Sequence, residues 1–276
     1  MAEIITWFVM AVIFIFGIII GSFLNVVVLR HGTGKGLGGR SICFNCKKVL
    51  QWYELVPVVS YVWLNGKCSK CRSKISVQYP LVELATGLLY LVAFLWAYPV
   101  WLASGWWVFL ITLLILWDAI SLLVVIFVYD LYHQIIPNLW VWSFIGLAVI
   151  NTAWHFFLDP NTTVLWLNLI AAALLTAPFA LIWLLSKGKW FGFGDVKLIL
   201  GIGLWLGVYG FTAVTLAFWI GTLVIIAVAI FDRAKIKHGL AIPFAPFLVA
   251  GFLLVLFLGW DFFRSEIVVN LISNNY

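Results

Sequence analysis

Apolar residues run through this chain in long blocks, broken by short polar interruptions and by one long one. Cut at those interruptions, the pattern predicts about eight apolar stretches, near 5–29, 80–98, 106–129, 138–157, 164–185, 197–210, 211–231 and 242–259. A hydrocarbon core of about 30 Å takes roughly 20 residues of helix, so these read as membrane-spanning helices. The sixth is the shortest and is rich in glycine. The first stretch runs directly into the polar loop at its end with no small-residue cleavage site, so it is expected to stay on the chain and not to be removed as a signal peptide. The predicted fold class is an all-α polytopic membrane protein with about eight transmembrane helices and one small loop domain.

Composition agrees, since 65% of the 276 residues are hydrophobic and only 9% charged, against roughly 25% charged in soluble proteins. The net charge of +6 could suggest nucleic acid, but its distribution points elsewhere. Nine of the sixteen Lys and Arg lie in 30–79, and six more lie in 186–197 and 232–238. The opposite loops, 99–105 and 158–163, carry none, and the tail carries only Arg264. By the positive-inside rule the basic loops are cytoplasmic and both termini lie outside. The charge then reads as orientation, and no nucleic-acid partner is expected. The predicted organisation is a first transmembrane helix (1–29), a cytoplasmic loop domain (30–79), a second helix with its external turn (80–105), a helical core (106–259) and an external tail (260–276).

The loop domain opens with "HGTGKGLGG", five glycines in nine residues, which reads as a flexible connection. The spacing does not fit a phosphate-binding loop and no strand precedes it. All four cysteines come after it, as Cys43 and Cys46 in "CFNC" and Cys68 and Cys71 in "CSKC". Paired C-x-x-C knuckles at this separation suit a tetrahedral four-thiolate zinc site. Disulfides would need an oxidising compartment, which the topology denies. Four thiolates leave no open coordination position, so the expected zinc is structural and folds a loop too small to hold itself together. The intervening "WYELVPVVSYVWL" is expected to supply a small apolar core.

Ionisable groups in or beside membrane helices are expensive and default to function. Four acidic residues qualify: Glu83, Asp118, Asp130 and Asp195. Asp130 ends the third stretch, and Pro137 breaks the chain before the fourth. Asp195 begins the sixth after another cytoplasmic loop, so the two aspartates share one membrane face and can meet. Gly192 and Gly194 let the backbone bend and a neighbour approach closely. Two adjacent carboxylates share a proton and can activate water, the logic of aspartic proteases. By residue type alone the commoner reading is that each merely caps a helix or pairs with a nearby cation, as Asp195 could with Lys197 or Lys189. Asp118 lies about 18 Å deeper along its helix than Asp130 and has no assigned role. Glu83 could orient the loop domain or a substrate amine, or be an ordinary carboxylate at a helix start.

Together, "GSFLNVVVLR" (21–30), the two knuckles, "QWYELVPVVSYVWLNGKC" (51–68), "YPLVE" (79–83), "DLYHQIIPN" (130–138), "GFGDVKL" (192–198) and "IPFAPFLVAG" (242–251) resemble the bacterial prepilin peptidases, or type IV leader peptidases. The resemblance implies an aspartic endopeptidase of the bacterial inner membrane. It would cleave the basic leader from type IV prepilins or type II secretion pseudopilins at the cytoplasmic face, with Asp130 and Asp195 as the catalytic pair in the 106–259 core. It also implies N-methylation of the newly exposed residue by S-adenosylmethionine, because the cysteine loop accompanies that activity in the family. No soluble nucleotide fold is present to hold the donor. Expected support around the catalytic pair comes from Gly192, Gly194, Pro137 and Lys197, the last able to attract a substrate carboxylate or to tune Asp195. Departures are the glycine run at 31–39, Phe193 and Ala245 where methionine and glycine are commoner, and Tyr132 where an acidic residue is frequent. Competing readings are a presenilin-type intramembrane protease sharing "YD" and "GxGD", a transporter led by Asp118, and a non-enzymatic zinc scaffold. The expected partners are prepilin substrates and the lipid bilayer, and the oligomeric state is left open.

Overall fold

A backbone in hydrocarbon must satisfy its own hydrogen bonds, and helices do so locally. The computed structural model describes residues 2–34, 36–231 and 242–259. Its helices are α1 (Ala2–Arg30), α2 (Val59–Trp63), α3 (Gln78–Ser104), α4 (Trp106–His133), α5 (Asn138–Leu158), α6 (Thr162–Ser186), α7 (Phe193–Leu206), α8 (Gly210–Phe231) and α9 (Ala245–Leu258). Among the described residues, six stretches are long and apolar enough to cross a membrane, the last being Phe193–Phe231, in which a short turn at Gly207–Tyr209 joins α7 to α8. The 14-residue α9 is a shorter apolar helix. This is a multi-pass all-α membrane protein. The sixth predicted stretch begins at Phe193 instead of 197, which places Asp195 inside the first helical turn. The predicted tail, 260–276, and the basic segment 232–238 lie outside the described residues.

The chain forms two compact units, 1–125 and 126–276, divided within α4. In the first, α1 lies against α3. Close approach is possible because glycines face the contact: a methyl group at Gly21 would come 2.8 Å from the Glu83 Cα, and one at Gly17 would come 2.8 Å from the Gly87 Cα. Next to this seam, Tyr90 stacks on Trp117 at 4.9 Å and its hydroxyl bonds Ser121 at 2.7 Å, tying α3 to α4. In the second unit α7 packs against α5, α6 and α8, and α8 against α9.

The loop between α1 and α3 corrects two expectations. The glycine run is not a loose connector, because the Arg30 guanidinium donates to the carbonyls of Gly36 at 3.1 Å and Leu37 at 2.7 Å, and to Gly38 beyond them. Nor does "WYELVPVVSYVWL" form an apolar core: Trp52, Tyr53, Val59, Val62 and Trp63 are all exposed, and the buried residue of the segment is Glu54. Its carboxylate accepts from Lys48 Nζ at 2.9 Å, from the Gln51 N–H at 2.8 Å and from the Ser69 hydroxyl. A polar hub and the cysteines organise this loop, with its apolar side chains turned outward.

Candidate active site and cysteine cluster

Helix starts carry N–H groups with no partner inside the helix, and two such groups hold Asp130 and Asp195, which both belong to the second unit. Asp130, on the last turns of α4, is 4% exposed. It accepts from the N–H of Ala245, the first residue of α9, at 3.2 Å. Asp195 is the third residue of α7, and its carboxylate folds back to accept from the N–H of Gly192, the residue that caps the helix. This is half of a capping box, so the helix-capping reading of Asp195 is correct as far as it goes. Asp195 also lies within electrostatic reach of Asp130, which a simple cap would not require.

Glycine is needed where these elements meet. A side chain at Gly194 would put its Cβ 2.9 Å from the Cβ of Ile136, in the connector between α4 and α5. At Gly192 it would meet the Asp195 carboxylate at 2.9 Å. Pro137 caps α5 in extended conformation, which turns the chain between Ile136 and Asn138.

Lys197 pairs with neither aspartate. Among the described residues the ion pair is Lys48–Glu54. The Lys197 side chain, only 7% exposed, instead donates to Asn138 Oδ1. Its ammonium stands 4.7 Å from the Phe193 ring centre and 5.9 Å from that of Trp142, both within cation–π range. Lys197 therefore binds the start of α7 to the start of α5, on the same two segments that Gly194 and Ile136 bring together. Asn138, Ile136 and the Ala245 N–H were given no role from sequence. Pro246, at the second position of α9, was the available hint, since proline there marks a helix start with free donors. Asp118 sits exposed on α4 and has electrostatic contact with Tyr90.

In the first unit the four cysteine sulfurs all lie within 4.8 Å of one another. The Cys43 and Cys71 sulfurs are 3.8 Å apart, the edge expected of a tetrahedron with bonds of about 2.3 Å to zinc. The two knuckles are built alike. Lys47 N–H bonds the Cys43 carbonyl and Arg72 N–H bonds the Cys68 carbonyl, each at 3.0 Å, and both residues have positive φ. A β-bridge closes each knuckle, Ile42 to Val49 and Lys67 to Lys74. The hydroxyl and backbone of Ser73 pull the Cys71 thiol down to about 6, toward the thiolate that a metal requires. All four are free thiols, and the donor set fits a structural zinc.

Glu83, predicted near the start of the second span, lies in the first turns of α3 and is 6% exposed. It accepts from the Val58 N–H at 2.7 Å and from the Ser22 hydroxyl on α1.

The amino-terminal region, residues 15–97, matches the bacterial peptidase A24 N-terminal domain, and residues 117–231 match the type IV leader peptidase family. Similar curated proteins include a prepilin leader peptidase/N-methyltransferase of Pseudomonas aeruginosa, 30% identical over 267 residues and covering 87% of each chain. One of Burkholderia pseudomallei is 31% identical over 278 residues, covering 90% of this chain and 85% of its own. One of Vibrio cholerae is 29% identical over 253 residues, covering 88% and 94%. No solved structure matches the chain. The shared length and the two family matches, the first of which contains the cysteine loop, lead to one conclusion: the chain belongs to the type IV leader peptidase family.

Proposed function

We infer that this protein cuts the leader peptide from type IV prepilins or related pseudopilins and then methylates the new amino terminus. The observation carrying the peptidase reading is the pair Asp130 and Asp195, each holding a helix-start N–H and within reach of the other's charge. Among the described residues that is one N–H apiece, which leaves carboxylate oxygens for water and substrate. Of two such carboxylates sharing one proton, the ionised member takes a proton from water as the water oxygen attacks the scissile carbonyl carbon. The other gives its proton to the carbonyl oxygen. Collapse of the tetrahedral species breaks the C–N bond, and the amine leaves with a proton. Gly192, Gly194, Pro137 and Lys197 position this pair.

The substrate's chemistry suits the location. A basic leader in water followed by an apolar helix in lipid holds its scissile bond at the membrane surface, where helix starts supply the donors. We place that surface on the cytoplasmic side of the bacterial inner membrane, from the basic loops. The domain reading is a first helix at 1–29, a cysteine loop at 30–79, a second helix at 80–105 and a peptidase core at 106–259. Cys43, Cys46, Cys68 and Cys71 would hold a structural zinc. S-adenosylmethionine, when bound, supplies the methyl group, and Glu83 stands in the region assigned to that second step.

The test is intact-mass analysis of a prepilin incubated with the purified protein, with and without S-adenosylmethionine, beside Asp195→Ala. Leader loss in the wild type alone, and one added methyl only with the donor, supports both activities. No cleavage across several prepilins would overturn the peptidase reading of this family member.

A further inference from the structure

Val58 has φ 61° and ψ −53°, and the Val59 N–H bonds the Pro57 carbonyl across it at 2.6 Å. This is the γ-turn with positive central φ, a rare and strained form. Positive φ also occurs at Lys47, Asn65, Arg72, Gln134 and Lys187 among the described non-glycine residues, but none of those is β-branched. A valine there is an outlier that needs something to hold it. That something is Glu83, whose buried carboxylate accepts the Val58 N–H at 2.7 Å. A buried N–H left without an acceptor is costly, and this bond satisfies one on the residue under strain.

The same carboxylate joins three parts of the unit. It belongs to α3, it receives the Ser22 hydroxyl from α1, and Gly21 lets α1 approach its backbone. Through Val58 it takes hold of the entry to α2, which lies in the connector between the two cysteine knuckles. Released from it, Val58 would relax to negative φ and α2 would leave α3 in a new direction.

We propose that Glu83 is a positioning residue: it clamps the strained Val58 turn and so fixes the four-cysteine loop on the ends of α1 and α3, in the arrangement that methyl transfer requires. This rests on the methyltransferase reading above. It assigns to Glu83 a role in holding the loop, and none in binding the substrate amine.

The experiment compares Glu83→Ala, Glu83→Gln, Val58→Gly and the double variant Val58→Gly/Glu83→Ala in the full-length, zinc-loaded protein. Two readouts are taken: the ratio of methylated to merely cleaved prepilin, and the rate of tryptic cutting in the cysteine loop. Glu83→Ala should lower the ratio and speed the cutting by about ten-fold each, the scale set by the usual cost of such a backbone. Glu83→Gln keeps an acceptor for the Val58 N–H and should stay close to wild type. Glycine takes positive φ without strain, so the double variant should recover both readouts. Damage in Glu83→Gln equal to that in Glu83→Ala, or a double variant no better than the single, would overturn the proposal and return Glu83 to the chemistry of the amine. If the wild type never methylates, the methyltransferase reading fails by itself, and the tryptic readout still decides whether the clamp exists.

Discussion

The backbone N–H of Ala245 points at the carboxylate of Asp130 from 3.2 Å away, across 115 residues of sequence. An asparagine at 130 can still accept that bond but cannot take a proton from water. Asp130→Asn and Asp195→Asn should therefore keep the protein folded while cutting cleavage by at least about 100-fold, the usual worth of a positioned acid or base. A gel-shift assay on prepilin beside a thermal melt checks this. Substantial cleavage by either variant would remove the pair from the mechanism.

Gly194 makes a second, steric prediction. A methyl group there would stand 2.9 Å from the Ile136 Cβ, so Gly194→Ala must push the start of α7 away from the α4–α5 connector. Displacements of about 1 Å in reacting groups can cost about 100-fold in rate. If Gly194 acts by positioning Asp195, the fall should appear in kcat more than in KM. A kcat equal to wild type would mean that the close approach is irrelevant to the chemistry.

Lys197 and Asn138 should behave as a coupled pair. Asn138→Leu strips an acceptor from a buried ammonium, at a cost of about 1–3 kcal/mol or more for a charged group. Lys197→Met in the same chain removes the ammonium too, so the double variant should be more stable than Asn138→Leu alone. Chemical denaturation of all four members of the cycle in one detergent measures this coupling. Additive losses would show that the contact carries no energy.

The four-cysteine cluster, read as a structural zinc site, predicts one metal ion per chain, released by a strong chelator and absent from Cys46→Ser. Loss of metal should unfold the cysteine loop and reduce the methylated fraction more than cleavage, since Asp130 and Asp195 belong to the other unit. Metal analysis with the intact-mass assay tests it, and equal loss of both products would tie the loop to the peptidase step as well.

Glu54 gives the pH prediction. Burial works to raise its pKa, but the Gln51 N–H, Lys48 and Ser69 outweigh burial and hold it down to about 2. A carboxyl lowered on folding stabilises the folded loop above the ordinary carboxylate range, and that stability drains away as pH falls from there toward about 2. Glu54→Gln should be less stable at neutral pH and should flatten the dependence in acid, as read by pepsin resistance of the loop between about pH 5 and pH 2. Parallel curves for the two proteins would contradict it.

Much of the architecture was legible in the chain. Apolar runs of span length placed the helices, C-x-x-C spacing placed the four-cysteine cluster, and "IPN" and "GFGD" marked the segments carrying the aspartates. Partners contributed by backbone are nearly silent in sequence. Pro246 hints at a helix start beside Ala245 but not at which carboxylate its N–H meets, and the direction of Lys197 depends on where Asn138 lies in three dimensions. The positive φ of Lys47 and Arg72 arises from closing a knuckle, which residue type does not advertise. The loop's apolar segment misled for a related reason: "WYELVPVVSYVWL" has the composition of a core, but composition does not say which way a side chain faces.

Those outward-facing residues bear on how the loop can be handled. Trp52 and Trp63 are about four-fifths exposed and Val62 about two-thirds, on a segment whose neighbours in the chain are membrane helices. Such a concentration of bare apolar surface makes a free polypeptide sticky. Excised as residues 30–79, the loop would keep its four thiolates yet precipitate or coat its container, however much zinc were supplied. It is a four-cysteine fold built to remain attached to its membrane helices, and its solubility belongs to the whole chain.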